Sequence, residues 1–204
     1  MSAARLLPSG PHAILAEYDT INEVMAVTGR FAVTPPAGVV DVVPAARTVL
    51  ITHRRDADLA LVRALLTEPT GQLPTSRTEA APVELAVTYD GIDLGAVAHA
   101  CGLTADEVVA AHTAAAYTVA FCGFVPGFAY LVGLDPRLVL PRRSTPRERV
   151  TAGSVAIAAE YSAVYPTASP GGWHLLGHTD TELWRSDLGR PVLTPGTVVR
   201  FVAR

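Results

Sequence analysis

The sequence predicts an α+β protein of two domains: a small α/β domain followed by a domain rich in short strands. Half of its 204 residues are hydrophobic and 17% are charged, which is typical of a large buried core. Helical and strand patterns alternate early in the chain, whereas after Tyr117 short β-branched segments are separated by Gly and Pro. The segment 68–82 lacks periodicity and holds three prolines. We therefore predict domains over 1–80 and 81–204.

The first domain is predicted to contain three strands and two helices. Thr20 is followed three residues later by Glu23, a capping-box pattern, so a helix is expected to begin at Thr20 and to stop at Gly29. Asp56 is expected to cap a second helix that runs to about residue 66, because apolar residues recur there at helical spacing. The expected strands cover residues 13–16, 38–43 and 48–52.

The second domain is predicted to open with a strand over 83–89 and two short helices. The first helix ends at Gly102, and Thr104 with Glu107 forms another capping box before a helix over 105–113. The later strands are expected at residues 118–121, 138–140, 154–158, 163–165, 173–176, 182–184 and 198–202. Many short strands with turn signals between them predict a barrel or a sandwich.

The basic residues exclude several kinds of chemistry. All 16 of them are arginine, so the chain has no lysine. A Walker-type phosphate loop, a Schiff base and covalently attached biotin all need a lysine. If the reaction uses ATP or biotin, another polypeptide must supply that lysine. The net charge of −3 gives no reason to expect nucleic acid or an anionic membrane as a partner.

The cysteines and the start of the chain bear on its compartment. Cys101 and Cys122 have neither metal-ligand nor redox spacing, and both lie in apolar surroundings. Arg5 is followed by Leu6-Leu7-Pro8, which is too short for the hydrophobic region of a signal peptide. No apolar run approaches the length of a membrane span. We expect a cytoplasmic protein with reduced thiols.

The segment 123–177 has the composition of a binding site. It combines Gly and Pro, which fix the backbone, with aromatic residues, which supply rigid contact surface. Five arginines lie within it, and only Asp135 and Glu148 stand among them as counter-charges. These arginines are Arg137, Arg142, Arg143, Arg147 and Arg149. One or two of them would hold a carboxylate or phosphate, or all of them form a solvated surface loop.

Three other features carry alternatives. His112 ends a predicted helix, where the helix dipole favours a structural imidazole, but it also suits a general acid or base. His174 and His178 would face the same side of a regular strand, yet no metal motif accompanies them, so no metal is expected. Ser154 lacks a nucleophile elbow, and Ser169 precedes a Gly-rich turn that either binds an oxyanion or is only a tight turn.

Four motifs, in order, resemble the 5-oxoprolinase B-subunit family, also called allophanate hydrolase subunit 1 or the KipI-like kinase-inhibitor family. They are G-F-V-P-G-F-A-Y-L-V-G-L-D-P-R-L (123–138), P-R-R-S-T-P-R-E-R-V-T-A-G-S-V-A-I (141–157), V-Y-P-T-A-S-P-G-G-W-H-L-L-G-H-T (164–179) and T-P-G-T-V-V-R-F (194–201). The resemblance is strong from residue 83 onward. In the first half it covers only the pattern of elements.

The resemblance implies a small α/β N-terminal domain followed by a cyclophilin-like β-barrel. It also implies a complex of this B-type chain with two others, the carboxyltransferase-like C subunit and the A subunit, which together open 5-oxo-L-proline to L-glutamate with hydrolysis of ATP. This chain would be inactive alone, would share its site with the C subunit, and would carry no biotin. The family's other names imply two alternatives: an inhibitor of a sensor histidine kinase, or one component of an allophanate- or urea-type amidohydrolase.

The resemblance also implies site residues. His112 is the candidate catalytic residue, and Arg147 or Arg149 would anchor a substrate carboxylate. The implied substrate-binding residues are Phe124, Pro126, Gly127, Phe128, Tyr130, Arg142, Arg147, Arg149, Gly153, Ser154, Tyr165, Ser169, Gly171, Gly172 and Trp173.

The chain departs from the family pattern in one place. Many members read A-G-G-Q-T-G-(I/V)-Y-P where this chain reads A-A-E-Y-S-A-V-Y-P over 158–166, and Thr151 stands where a proline is common. A glutamate that faced the site would repel a carboxylate and favour a cationic or amide substrate, or serve as a base. If Glu160 points outward, the change is neutral.

Overall fold

The structure is a computed structural model that describes residues 4–68, 81–187 and 189–204. The chain divides into two compact units, Met1–Ala80 and Ala81–Arg204. The predicted linker over 68–82 lies outside the described residues for most of its length.

The first unit is a four-stranded antiparallel sheet with two helices. Its strands are β1 (Arg5–Pro8), β2 (Ala13–Glu17), β3 (Val39–Pro44) and β4 (Thr48–His53), in the order β1-β2-β4-β3. Its helices are α1 (Ile21–Val33) and α2 (Leu59–Thr67). The three predicted strands are confirmed, and β1 is an addition. Buried residues of both helices share one core with residues of β2 and β4, such as Phe31, Leu66, Ile14 and Ile51.

The predicted helix limits in this unit are partly wrong. The capping box of Thr20 and Glu23 is confirmed. The helix does not stop at Gly29, because the next turn places Phe31 in the core. Asp58 caps α2 through its Oδ1, which accepts from the Leu61 amide at 3.0 Å, whereas Asp56 pairs with an exposed arginine. One polar residue closer to the apolar run makes the cap.

The second unit is built on a nearly closed seven-stranded barrel. Its strands are β5 (Val83–Val87), β6 (Tyr117–Cys122), β7 (Ala129–Val132), β9 (Ser154–Ala158), β10 (Tyr161–Val164), β12 (His174–His178) and β15 (Val198–Ala203). The sheet order is β12-β9-β10-β7-β6-β15-β5, with β15 parallel to β5. Reciprocal backbone hydrogen bonds between Thr88 and His178, with both N···O distances 2.9 Å, join the region after β5 to β12. The predicted mixed fold with a barrel is confirmed.

Two short hairpins and two helices complete this unit. One hairpin pairs β8 (Arg147–Val150) with β11 (Ser169–Gly171), and the other pairs β13 (Trp184–Arg185) with β14 (Arg190–Pro191). The helices are α3 (Leu94–Cys101), which ends at left-handed Gly102, and α4 (Ala105–Ala114), which begins with the predicted capping box.

One predicted strand is wrong. Residues 136–138 form a 3₁₀ turn, because Pro136 starts it and the Asp135 carboxylate accepts from the Arg137 amide. Leu140 forms only an isolated bridge with Ala159. In the described part of the chain no single helix is long and apolar enough to cross a membrane. Only α3 and α4, bent by 90°, pass that test together, by length and composition.

Neighbouring residues of the barrel strands face opposite sides of the sheet. Val155 and Ile157 of β9, and Leu131 of β7, belong to the main core. Residues between core positions therefore face the other side, which we call the outer face. On β10 this alternation turns Ser162 toward the core and its neighbour Tyr161 toward the outer face. Both are buried, so the outer face is covered as well.

Candidate functional site

Aromatic rings form one connected cluster on the outer face. Phe128 lies at its centre, with ring centroids 5.1 Å from Tyr130, 5.3 Å from Tyr165 and 5.6 Å from Trp173. Phe121 stacks on Tyr130 at 4.2 Å. The outer cluster, as we call it, consists of Phe121, Phe124, Phe128, Tyr130, Tyr161, Tyr165 and Trp173. Five of these seven were predicted site residues, and the structure brings all five together.

The loop between β6 and β7 places two of these rings. Phe124 is 58% exposed and has a φ of 74°, a rare value for a bulky residue. Around it the Val125 amide donates to the Gly123 carbonyl at 3.0 Å, which closes a tight turn. Gly127 has a φ of 86°, and a Cβ there would meet Pro166 at 3.1 Å. Backbone strain at a non-glycine residue such as Phe124 is typical of functional loops. Pro126 lies in the same loop.

The hairpin of β8 and β11 places the arginines beside the outer cluster. Gly171 pairs with Arg147 across the hairpin. A Cβ at Gly171 would lie 2.2 Å from the Tyr165 hydroxyl, so only glycine allows this approach. The Gly172 carbonyl accepts from the Arg143 amide at 2.8 Å. These contacts connect the arginine segment with the aromatic rings.

The five arginines of the segment have different surroundings. Arg142 lies over the Trp173 ring, 5.8 Å from its centroid. Arg143 and Arg147 both donate to Asp93, at 2.9 Å and 2.7 Å. Arg137 forms an exposed ion pair with Asp135. Arg149 is exposed, and it has no ion-pair or hydrogen-bond partner among the described residues.

Asp93 is the residue of this site that the sequence did not indicate. It precedes α3 and is 3% exposed, and its second carboxylate oxygen accepts from the Leu175 amide at 2.8 Å. Burial raises the pKa of Asp93. The hydrogen bonds from Arg147 and Leu175 and the two arginine charges outweigh burial, so the pKa lies below its ordinary value of 3.8. Asp93 is therefore ionised at neutral pH.

Buried polar atoms without a hydrogen-bond partner are concentrated here. Within the described residues there are four such side-chain atoms: Arg143 Nε, Arg147 Nη1, Tyr161 Oη and Ser169 Oγ. All four lie between residues 143 and 169, in or beside the outer cluster. An unpaired buried donor is unfavourable and rare, so such a group calls for a partner outside the chain. The concentration marks this face as a binding site.

Glu160 lies in the turn between β9 and β10, and it is exposed. Ala159 beside it has a φ of 49°. Burial raises the pKa of the Tyr161 phenol, and the charge of Glu160 raises it further. The phenol therefore stays a neutral donor at neutral pH. Glu160 thus acts on the site through Tyr161, a residue that the predicted site residues did not include.

His112 lies on the core side of the sheet. It is fully buried, and its ring nitrogens contact the Tyr89 hydroxyl at 2.7 Å and Ser162 Oγ at 2.9 Å. Because the Ser162 hydroxyl donates to the Ala156 carbonyl, it accepts from His112 Nε2, and Nδ1 accepts from Tyr89. Burial lowers the pKa of His112 to about 3. The ring is neutral and fully bonded, and the structure does not bring it into the outer cluster. Its catalytic role stays a prediction.

The remaining predicted residues have structural contacts. Ser154 is buried, and its hydroxyl hydrogen-bonds Thr151 at 3.0 Å. Gly153 donates to the Tyr165 carbonyl at 2.8 Å. A β-bulge in β12 interrupts the alternation between His174 and His178, so the expectation that they share a side is wrong. Their rings contact the Pro141 carbonyl and Asp90, respectively. Among the described residues no three His, Cys, Asp or Glu side chains form a metal-type group.

Comparison with known families defines the class of this protein. The profile described as "Carboxyltransferase domain, subdomain C and D" matches residues 4–194. The fold is found in the structure of TTHA0988, with a TM-score of 0.75 and 33% identity over 94% of this chain but 40% of that one. PH0987 from Pyrococcus horikoshii is 32% identical, with a TM-score of 0.59, over 98% of this chain and 97% of that one.

Curated relatives narrow the class. The B subunit of 5-oxoprolinase from Escherichia coli O157:H7 is 40% identical over 173 residues, which cover 80% of this chain and 78% of that protein. Its counterpart from Bacillus subtilis strain 168 is 43% identical over 124 residues, 59% of this chain and 52% of the relative. This chain therefore belongs to the 5-oxoprolinase B-subunit family. The urea amidolyase of K. lactis shares the fold alone, at 18% identity and a TM-score of 0.68.

Proposed function

We propose that this chain is the B subunit of a complex that hydrolyses 5-oxo-L-proline to L-glutamate with hydrolysis of ATP. The complex would also contain the carboxyltransferase-like C subunit, which shares the active site, and the A subunit. The observation that carries the proposal is the coincidence of aromatic rings, arginines and unpaired buried polar atoms on one face of a family member. The names of its relatives supply the reaction.

The chemistry of the outer cluster suits this substrate. The substrate is a small five-membered lactam with one carboxylate and one amide oxygen. Aromatic faces such as those of Phe128 and Trp173 would cover its ring, and N–H and O–H donors would bind its oxygens. The exposed position of Glu160 leaves the site without the repulsion that a glutamate among these rings would cause.

The chemical step would need groups beyond this chain. In the overall reaction one water adds to the lactam carbonyl as the C–N bond breaks, and a second water takes the γ-phosphoryl group of ATP. The outer cluster offers donors and apolar surface, but the raised pKa of Tyr161 makes it a poor base. Because the chain has no lysine, a lysine contact to the phosphates of ATP would come from another chain of the complex. The role of this chain would be to bind and orient the substrate.

Reconstitution tests the proposal. The chain is combined with the A and C subunits from the same source, and release of glutamate and ADP is measured with and without 5-oxo-L-proline. We expect glutamate and ADP in equal amounts from the three-chain mixture, and none from this chain alone. Turnover that does not change when this chain is omitted would contradict the proposal, as would a stable three-chain complex that releases no glutamate.

A further inference from the structure

The pair of arginines held by Asp93 has more positive charge and more donors than its one carboxylate can satisfy. Both guanidinium groups donate to the same oxygen, Asp93 Oδ1, because Oδ2 is used by the Leu175 amide. Each guanidinium keeps further N–H groups without an acceptor in the described chain, including the buried Arg143 Nε and Arg147 Nη1. Two positive charges face one negative charge, so a single positive charge is left over.

This excess charge is only partly solvated. The side chain of Arg143 is 33% exposed and that of Arg147 is 22% exposed. Glu148 follows Arg147 on β8, but it is exposed and makes no ion pair with either arginine among the described residues. A half-buried cation with spare donors attracts an anion more strongly than a fully solvated one, because water screens it less.

The position of the pair indicates what kind of anion it would take. Tyr165 lies between the pair and the aromatic rings. Burial raises the pKa of Tyr165, and the charges of Arg142 and Arg147 act against this rise. Glycine at position 171, opposite Arg147, leaves no side chain between the arginine and the Tyr165 hydroxyl. An acidic group that reaches the arginines would therefore have the body of its molecule against the outer cluster.

Arg149, the other candidate anchor, lacks these features. It lies on the same strand as Arg147, is exposed, and has no residue of the described chain to orient it. An exposed, unoriented guanidinium loses conformational entropy when it binds, and salt screens it.

We infer that Arg143 and Arg147 form the subsite for a carboxylate attached to a small, flat, weakly polar ring, and that Asp93 is the positioning residue that orients both guanidinium groups. The inference rests on the proposed function for the identity of the ligand, which would be 5-oxo-L-proline. It assigns the substrate carboxylate to the arginine pair, and the lactam ring to the outer cluster.

The first test uses the full chain alone and does not depend on the reaction. Acetate is titrated while the arginine Nε–Hε signals are followed by NMR, and inorganic phosphate is titrated in a parallel experiment. We expect saturable shifts at Arg143 and Arg147 with acetate, and no saturable shift at Arg149. Equal, non-saturating shifts at all three arginines would overturn the site. Tighter binding of phosphate than of acetate would overturn the assignment to a carboxylate.

The second test uses the assembled complex with Arg147→Gln, and Arg149→Gln as the matched control on the same strand. We expect KM for 5-oxo-L-proline to rise about 10- to 100-fold in Arg147→Gln and less than about 2-fold in Arg149→Gln. Binding of 2-pyrrolidinone, which lacks the carboxylate, should be the same in both variants. A KM that is unchanged in Arg147→Gln would overturn the inference.

Two further observations keep the test interpretable. Arg143→Gln serves as a second variant if Arg147→Gln folds poorly, and thermal unfolding is recorded for each. A complex that is inactive on 5-oxo-L-proline, while acetate still binds at Arg147, would contradict the proposed function and leave the subsite standing. An active complex that is indifferent to both arginine variants would do the reverse.

Discussion

The two faces of the barrel sheet treat their buried polar groups in opposite ways. On the core side, His112 has a partner on each ring nitrogen, and Tyr117 donates to its backbone carbonyl at 3.0 Å. On the outer face, Tyr161, Ser169 and the two arginines keep buried atoms without partners in the described chain. Both regions contain residues that suit catalysis by type. Their hydrogen bonding separates them, since a closed network stabilises the fold and an open one is ready for a ligand.

Removal of Asp93 should have the largest effect on stability, because it is the one point where the open face depends on a closed interaction. Asp93→Ala leaves two partly buried guanidinium groups and the Leu175 amide without their acceptor. We expect the free energy of unfolding to fall by about 3 kcal/mol, measured by urea denaturation. Glu148→Ala, which removes an exposed carboxylate nearby, should change it by less than about 0.5 kcal/mol. Equal effects of the two variants would contradict the role given to Asp93.

The core network should make stability depend on pH. The pKa of His112 is about 3 in the folded protein and 6.5 in its ordinary state, so between these values the unfolded chain binds a proton that the folded chain does not. The free energy of unfolding should therefore fall as pH decreases from 6.5 toward 3, by up to about 1.4 kcal/mol for each pH unit.

Urea denaturation at several pH values measures this slope. His112→Gln should make it smaller by about one proton. His99→Gln, which removes an exposed imidazole on α3, should leave it as it is. A slope that is the same in His112→Gln and in the natural sequence would show that His112 is not held neutral.

Two tyrosine hydroxyls give a smaller and more selective comparison. Tyr89→Phe removes a hydroxyl that His112 needs, so we expect a loss of about 1–2 kcal/mol. Tyr161→Phe removes a buried hydroxyl without a partner in the described chain, so stability should stay the same or rise slightly. Thermal or urea unfolding of both variants measures the difference. A larger loss in Tyr161→Phe than in Tyr89→Phe would reverse the distinction between the faces.

The sequence was most informative where structure is local. Both capping boxes, the helix stop at Gly102 and most strands follow from residues close together in the chain. The motifs in 123–177 also marked five rings that meet in the outer cluster. Contacts between distant residues were not visible. Asp93 lies 50 and 54 residues from its arginines, and no local pattern links them.

Side-chain direction was the other element that sequence reasoning missed. His112 is near the site motifs in sequence, yet it contacts Ser162, which faces the core. The sequence alone did not reveal that Tyr161, the preceding residue, faces the other side, because the strand register decides this. The bulge in β12 separated His174 from His178 for the same kind of reason.

The most direct test compares these two neighbours, Tyr161 and Ser162, in the assembled complex. We predict that Tyr161→Phe raises KM for 5-oxo-L-proline about 3- to 10-fold, because a substrate oxygen loses one donor. Ser162→Ala should leave kcat and KM within about 2-fold while it lowers stability by about 1 kcal/mol. A folded Ser162→Ala complex that has lost its turnover, beside a Tyr161→Phe complex with unchanged kinetics, would place the chemistry at His112 and contradict the account.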